Sequence, residues 1–139
     1  MKYTKSGDTY IIKLFKGEKI MEYLVKFCEV KKITSGIFHA IGAVLDAEIS
    51  FYNLKTKEYQ WKKFNKPMEI TGMTGNVALF EGKPLLHIHL TFSDDKMNVV
   101  GGHLKEATVG GTCEIFLTDT KIKMEREYDE ETGLKLWKF

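Results

Sequence analysis

The spacing of apolar and polar positions predicts one helix in this chain. Within the range Glu18–Ile33, apolar side chains recur at Ile20, Leu24, Phe27 and Cys28. This i, i+4, i+7, i+8 spacing places them on one side of an α-helix. An acidic residue at the start of the segment and lysines near its end match the polarity of the helix dipole. We therefore expect a single helix that buries one face.

Most of the remaining sequence favours β-strands. Short apolar segments and alternating apolar and polar residues are separated by turn-forming residues, and a hairpin turn is expected across 53–56. One helix and about eight strands predict an α+β fold, with the helix packed on a mainly antiparallel sheet. The predicted strands are Tyr10–Phe15, Ser35–Val44, Ala47–Tyr52, Lys57–Phe64, Glu69–Phe80, Leu85–Phe92, Thr112–Thr118 and Ile122–Tyr128.

Composition indicates an ordinary globular protein. The chain has 139 residues, of which 43% are hydrophobic and 29% charged, so we expect residues 1–139 to form a single domain with its own core. No apolar segment approaches the ~20 residues of a membrane helix, and the polar N-terminal segment favours a cytoplasmic protein. Cys28 and Cys113 are far apart in sequence, and we expect both to be reduced structural thiols.

Charge is distributed unevenly along the chain. The net charge is +2, but residues 1–66 carry a net charge of +6 and residues 67–139 a net charge of −4. This asymmetry favours either a basic face or complementary surfaces that meet in an oligomer.

Three of the four histidines lie within 17 residues of one another. On a strand, positions i and i+2 share a face, so His87 and His89 are predicted to point the same way. We expect the glycine pair at 101–102 to let the backbone fold tightly and return His103 to the same place. Three imidazoles favour zinc or a similar divalent transition metal. A polar, solvated face is the alternative interpretation of the same pattern.

Three imidazole ligands would leave a fourth coordination position open, which is typical of catalytic zinc. Glu69 and Glu114 are the candidate carboxylates that would orient the ligands or act as a general base. The fourth histidine, His39, lies in an apolar segment, and we expect it to be an interior histidine rather than a ligand. The second glycine pair, at 110–111, is predicted to form a turn.

A cluster of lysines gives a weaker signal for nucleic-acid binding. Basic residues alternating with aromatic ones can follow a phosphate backbone and stack on bases. A solvated hairpin whose lysines protect an exposed edge is the interpretation we favour. The lysines are Lys55, Lys57, Lys62, Lys63 and Lys66.

The same histidine segment carries a resemblance to a known family. The segments IGAV at 41–44, EITGMTGN at 69–76, LHIHLTFSD at 86–94, GGHL at 101–104 and TCEIFL at 112–117 occur in this order. Together they resemble the plant-and-prokaryote-conserved (PPC) domain over roughly residues 8–137. The combination of L-H-x-H and G-G-H-L is its most specific part.

The resemblance implies an α+β domain that assembles as a homotrimer, with a metal site at His87, His89 and His103. In plants the domain follows AT-hook motifs that bind DNA, and single-domain prokaryotic members are described as candidate DNA-binding proteins. This chain has no R-G-R-P core and a single arginine, Arg126. The resemblance therefore supports the metal site more than direct DNA binding.

Three hypotheses remain open from the sequence. The first is a homotrimeric, zinc-binding regulatory module associated with DNA or a transcription-related protein. The second is a zinc-dependent hydrolase or lyase that acts on a small molecule at the three histidines. The third is direct nucleic-acid binding through the lysine cluster.

Overall fold

The computed structural model describes residues 1–139 and confirms an α+β fold with one helix and a mainly antiparallel sheet. The helix is α1 (Ile20–Lys31). No helix in the structure is both long and apolar enough to span a membrane. The strands are β1 (Lys2–Ser6), β2 (Thr9–Phe15), β3 (Gly36–Asn53), β4 (Glu58–Phe64), β5 (Met68–Phe80), β6 (Lys83–Ser93), β7 (Val99–Asp119), β8 (Glu125–Asp129) and β9 (Leu134–Lys138).

The nine strands form one sheet with two long central members. The order is β1-β2-β7-β3-β5-β8-β9, while β4 pairs with β3 and β6 pairs with both β5 and β7. Every pairing is antiparallel except the contact between β5 and β8, which is limited to Leu79 opposite Glu125. The β8–β9 hairpin is therefore joined to the sheet by little main-chain pairing.

Two predicted breaks in the strands are absent from the structure. The segments predicted as separate strands around residue 45 form one strand, β3, and the glycine pair at 110–111 lies inside β7 instead of forming a turn. Instead of a break, the pairing of β3 with β7 shifts its register between Gly42 and Val44 and again between Val44 and Asp46. The short strand β1 was not predicted because all of its side chains are exposed, so its sequence lacks an alternating pattern.

The helix buries the predicted face. Ile20, Leu24, Phe27 and Cys28 are all buried in one core with the inward-facing side chains of the sheet. The carboxylate of Glu106 on β7 accepts hydrogen bonds from two main-chain N–H groups in the first turn, which satisfies donors that the helix itself leaves unpaired. These contacts fix α1 on one face of the sheet and leave the other face uncovered.

Both cysteines lie in the interior of the protein. Cys28 and Cys113 are free thiols. Burial, which disfavours the thiolate, raises the pKa of each thiol to about 12. Neither cysteine is suited to act as a nucleophile or metal ligand, in keeping with the predicted structural role.

The hairpin between β6 and β7 turns at residues 94–98, not at the glycine pair. The Oδ1 atom of Asp94 accepts hydrogen bonds from the main-chain N–H groups of Lys96 and Asn98, each at 3.0 Å. Its hydrogen bond with Lys66, together with these N–H donors, lowers the pKa of the Asp94 carboxyl to about 2. The turn sets the register in which β7 returns along β6.

The glycine pair at 101–102 instead allows three strands to approach closely. A Cβ atom on Gly101 would lie 2.8 Å from the main-chain oxygen of Leu90 on β6, and one on Gly102 would lie 2.6 Å from that of Ser50 on β3. Both distances are too short for a side-chain carbon. The absence of side chains therefore lets β7 fit between β6 and β3 just before His103.

We predict that Gly102→Ala destabilises the protein by about 1–3 kcal/mol, because the new methyl group would overlap main-chain atoms that cannot move freely. Gly111→Ala is the matched control, because a Cβ atom there meets nothing within 4 Å and should change the free energy of unfolding by less than about 0.5 kcal/mol. Urea unfolding of both variants measures the difference. Equal stability of the two variants would contradict the close-approach explanation.

Candidate metal centre

The hairpin of β6 and β7 brings three imidazoles together. His87 and His89 lie on one face of β6, and His103 on β7 is directly opposite His89 in the antiparallel register. One ring nitrogen from each histidine lies within 4.8 Å of those of the other two. The structure thus places the three predicted residues in one cluster.

The spacing of these nitrogens fits a zinc ion. The Nε2 atoms of His87 and His89 are 3.1 Å apart. Two nitrogens bound to one tetrahedral zinc ion at ~2.0–2.1 Å are roughly 3.3 Å apart. The His103 nitrogen lies within 4.8 Å of those of both His87 and His89. The three histidines therefore form a suitable set of metal ligands with room for a further ligand.

The environment keeps two of the imidazoles in the form that binds metals. Burial is the main cause that lowers the pKa of His87 to about 4, and the neighbouring charges of His103, His89 and Arg126 act in the same direction. Burial and His89 also lower the pKa of His103. Both rings are consequently neutral at pH 7, so a lone pair is available for a metal ion.

Aromatic residues of β4 form the wall next to His103. The ring of Tyr59 lies 5.4 Å from the His103 ring and stacks on Trp61 at 5.1 Å. Ser50 of β3 lies between β7 and β4 in the register. It is 5% exposed, and its Oγ atom has no hydrogen-bond partner. The hydroxyl is therefore a buried polar group that lacks a partner beside the cluster.

The cluster opens into a cavity of about 760 Å³. The histidines, Ser50 and Tyr59 line one part of it, and the β8–β9 hairpin lines the other. The hairpin is held by Tyr52, whose hydroxyl donates to the main-chain oxygen of Thr132 at 2.8 Å. A volume of this size is typical of sites that take small organic molecules.

Arg126 on β8 lines the same cavity. Its Nη2 donates to the side-chain oxygen of Asn76 at 2.6 Å, and its Nη1 donates to the main-chain oxygen of Lys135 at 2.7 Å. Arg126 was not among the predicted site residues. Its only signal was that it is the single arginine in a lysine-rich chain.

The two candidate carboxylates do not join the histidine cluster. Glu114 lines a second, shallower depression of about 740 Å³. This depression shares His89 with the cavity of about 760 Å³. Glu69 is exposed on β5, opposite Ser93 at the far end of β6 from His87, and lines neither cavity. Both glutamates lie on strands that pair with β6, as predicted. The position along a strand decides which side chains meet, however, and neither glutamate is level with the histidine cluster.

The expectation that His39 is an interior residue is wrong. His39 is exposed, whereas its neighbours Phe38 and Ala40 are buried. The segment 37–41 is a strand that is buried on one side only, so alternate residues point outwards. His39 lies on the same uncovered face as His89 but is not one of the three clustered histidines.

The five lysines between positions 55 and 66 do not form one basic patch. Lys57 donates to the main chain of the β8–β9 turn at 2.7 Å, and Lys66 pairs with Asp94 at 3.1 Å. Lys62 and Lys63 are successive residues of β4 and therefore point to opposite faces. This arrangement matches the solvated hairpin that was the favoured interpretation of the lysine cluster.

Comparison with known proteins shows extensive similarity. The family model of the Plants and Prokaryotes Conserved (PCC) domain matches residues 1–121. A candidate DNA-binding protein from Bacteroides thetaiotaomicron is 33% identical, with a TM-score of 0.97 over 99% of this chain and 96% of that chain. No curated protein matches the chain.

Two further solved structures are also similar over nearly the whole chain. A metal-containing protein from Archaeoglobus fulgidus is 37% identical, with a TM-score of 0.90 over 100% of both chains. A plant- and prokaryote-conserved (PPC) protein from Pyrococcus horikoshii is 31% identical, with a TM-score of 0.89 over 99% of this chain and 95% of that chain.

Proposed function

Since this chain belongs to the Plants and Prokaryotes Conserved (PCC) domain family, we propose that it is a single-domain module that binds one zinc ion through His87, His89 and His103. The observation that carries this proposal is the convergence of three ring nitrogens within 4.8 Å. The similarity to a protein described as metal-containing also supports it.

Zinc at this position would supply Lewis-acid chemistry and lower the pKa of a bound water molecule. The protein's own contribution is to hold neutral imidazoles in place and to shield one side of the site with the aromatic rings of Tyr59 and Trp61. The three histidine ligands leave a coordination position for a ligand that enters through the cavity.

We further propose that the module is a homotrimer. The face opposite α1 exposes Ile37, Ile41 and Phe116, each more than half exposed. On β3 the two isoleucines alternate with buried residues, and Phe116 is opposite His39 in the register. Exposed apolar side chains grouped on one face favour an interaction surface. The resemblance noted in the sequence analysis supports three copies as the number that meet there.

We propose that any association of this chain with DNA is indirect, through another protein. A similar protein is described as a candidate DNA-binding protein, but the lysines of this chain are dispersed and its single arginine lines the cavity. Contacts with a transcription-related protein would give the module a regulatory role without a DNA-binding surface of its own.

A zinc-dependent hydrolase or lyase is the second candidate function. The specific observation that favours it is the cavity of about 760 Å³ into which the histidines open. A cavity of this volume can hold a small substrate next to the metal's open position.

We predict about one zinc ion per chain after zinc is supplied to untagged protein, as expected for one three-histidine site. His89→Ala and His103→Ala should each weaken zinc binding at least about a hundredfold, because each removes a ligand. Elemental analysis and competition with a chelator measure both quantities. His39→Ala is the control and should bind as the unmodified chain does. Less than a tenth of a metal ion per unmodified chain would contradict the proposal.

We predict a mass of about 48 kDa in solution for three chains of 16.0 kDa each, measured by light scattering after size exclusion. Ile41→Glu with Phe116→Glu should reduce the mass to that of one chain, because charges would be placed in an apolar contact. Val30→Glu is the control, since Val30 is 68% exposed on α1. A monomeric unmodified chain would contradict the proposed trimer.

For the enzymatic alternative, we expect the zinc-loaded chain to turn over at least one compound from a panel of small esters, amides and oxo acids. The rate should fall at least about a hundredfold in His89→Ala, because the metal would be lost. Product formation is followed by chromatography. Equal residual rates in the two proteins would exclude catalysis at this site.

A further inference from the structure

We propose that the cavity beside the three histidines binds a small organic carboxylate, with the Arg126 guanidinium holding the carboxylate and the apolar walls contacting the rest of the molecule. This inference deepens the proposed function and rests on it in one respect, since a zinc ion would add positive charge to the same cavity. The positive charge of Arg126 is present in the cavity with or without zinc.

The charge composition of the cavity favours an anion. Its 17 lining residues include two cationic side chains, Arg126 and Lys135, and no aspartate or glutamate. The remaining polar residues are the histidines, Ser50 and three tyrosines. A cavity whose charged groups have one sign attracts small ligands of the opposite sign.

Arg126 has donors available for such a ligand. Its two hydrogen bonds go to neutral oxygen atoms, on Asn76 and on the main chain of Lys135. A guanidinium has five N–H donors. Two of them are bonded and the Nε–H is buried without a partner, so one free donor remains on each of Nη1 and Nη2. Burial of the guanidinium lowers the pKa of Arg126, because water stabilises a buried charge less than an exposed one. A carboxylate would supply the missing negative charge in a geometry that suits a guanidinium.

The acidic residues next to Arg126 in the sequence pair with other residues. Glu125 and Glu127 flank Arg126 on β8, so their side chains point away from the face that Arg126 occupies. Glu125 pairs with Lys123 at 2.8 Å, and Glu127 pairs with Lys138 at 3.5 Å. The charge of Arg126 is consequently not neutralised within the chain.

The walls of the cavity favour an organic acid over an inorganic anion. Leu85, Leu134 and Leu136 line it together with the rings of Tyr59 and Phe51. These surfaces gain from burying an apolar group, whereas inorganic phosphate would leave them uncovered.

The C-terminal hairpin supplies this site. Arg126 lies on β8, beyond residues 1–121 that match the family model. Asn76 on β5 fixes the guanidinium, and Asn76 is opposite His87 in the register of β5 and β6. The anion-binding group and the first histidine are thereby held by neighbouring strand positions.

The test uses isovalerate and its neutral counterpart isovaleramide, which have nearly the same shape. Calorimetric titration of the zinc-loaded and the metal-free chain measures both affinities. We expect isovalerate to bind at least about tenfold more tightly than isovaleramide to each form, because only the acid is charged. Inorganic phosphate is titrated as a third probe and should bind more weakly than isovalerate.

Two variants and one control test whether isovalerate binding depends on the charge of Arg126. Arg126→Gln should weaken isovalerate binding at least about tenfold. Asn76→Asp should do the same although it keeps the arginine and its hydrogen bond, because the new carboxylate neutralises the guanidinium inside the protein. This second variant covers the case in which Arg126→Gln disturbs the hairpin. Lys123→Gln removes the same charge outside the cavity and should leave binding unchanged.

Separate measurements distinguish this inference from the proposed zinc site. Zinc content is determined on each sample, and Arg126→Gln should retain its metal. If the chain holds less than a tenth of a zinc ion after zinc is supplied, while isovalerate still binds in an Arg126-dependent way, the carboxylate site is supported and only the zinc site is contradicted. Equal binding of acid and amide, tighter binding of phosphate, or unchanged affinity in both cavity variants would overturn the carboxylate site.

Discussion

The candidate site depends on the antiparallel pairing of β6 with β7. That pairing places His103 opposite His89, and it is possible only because the two residues before His103 have no side chains. A methyl group at Gly102 would lie 2.6 Å from a main-chain oxygen of β3. The close approach of three strands, rather than a tight turn, therefore determines where the third imidazole lies.

The two faces of the sheet have different roles, one in the hydrophobic core and the other at the histidine cluster. One face is covered by α1 and contributes the buried side chains of the core. The uncovered face carries the histidine cluster together with exposed apolar residues such as Ile41 and Phe116. Because alternate residues of a strand serve opposite faces, the same segments can pack a core and present ligands without conflict.

The cavity combines groups from distant parts of the chain. The β8–β9 hairpin has little main-chain pairing with the rest of the sheet, and side-chain hydrogen bonds such as those of Tyr52 and Arg126 hold it over the histidines. As a result, three clustered histidines and an unneutralised guanidinium line one space that contains no acidic side chain. This arrangement favours ligands that are negatively charged.

The sequence alone determined the features that depend on local periodicity. The buried face of α1 and the shared direction of His87 and His89 follow from repeats of 3.6 and 2 residues, which any helix or strand must obey. Contacts between distant residues depend on the three-dimensional fold, which brings Arg126 to the cavity and leaves Glu69 and Glu114 outside the histidine cluster. Strand register and bulges set these contacts, and they depend on pairing between segments far apart in sequence, which no local pattern encodes.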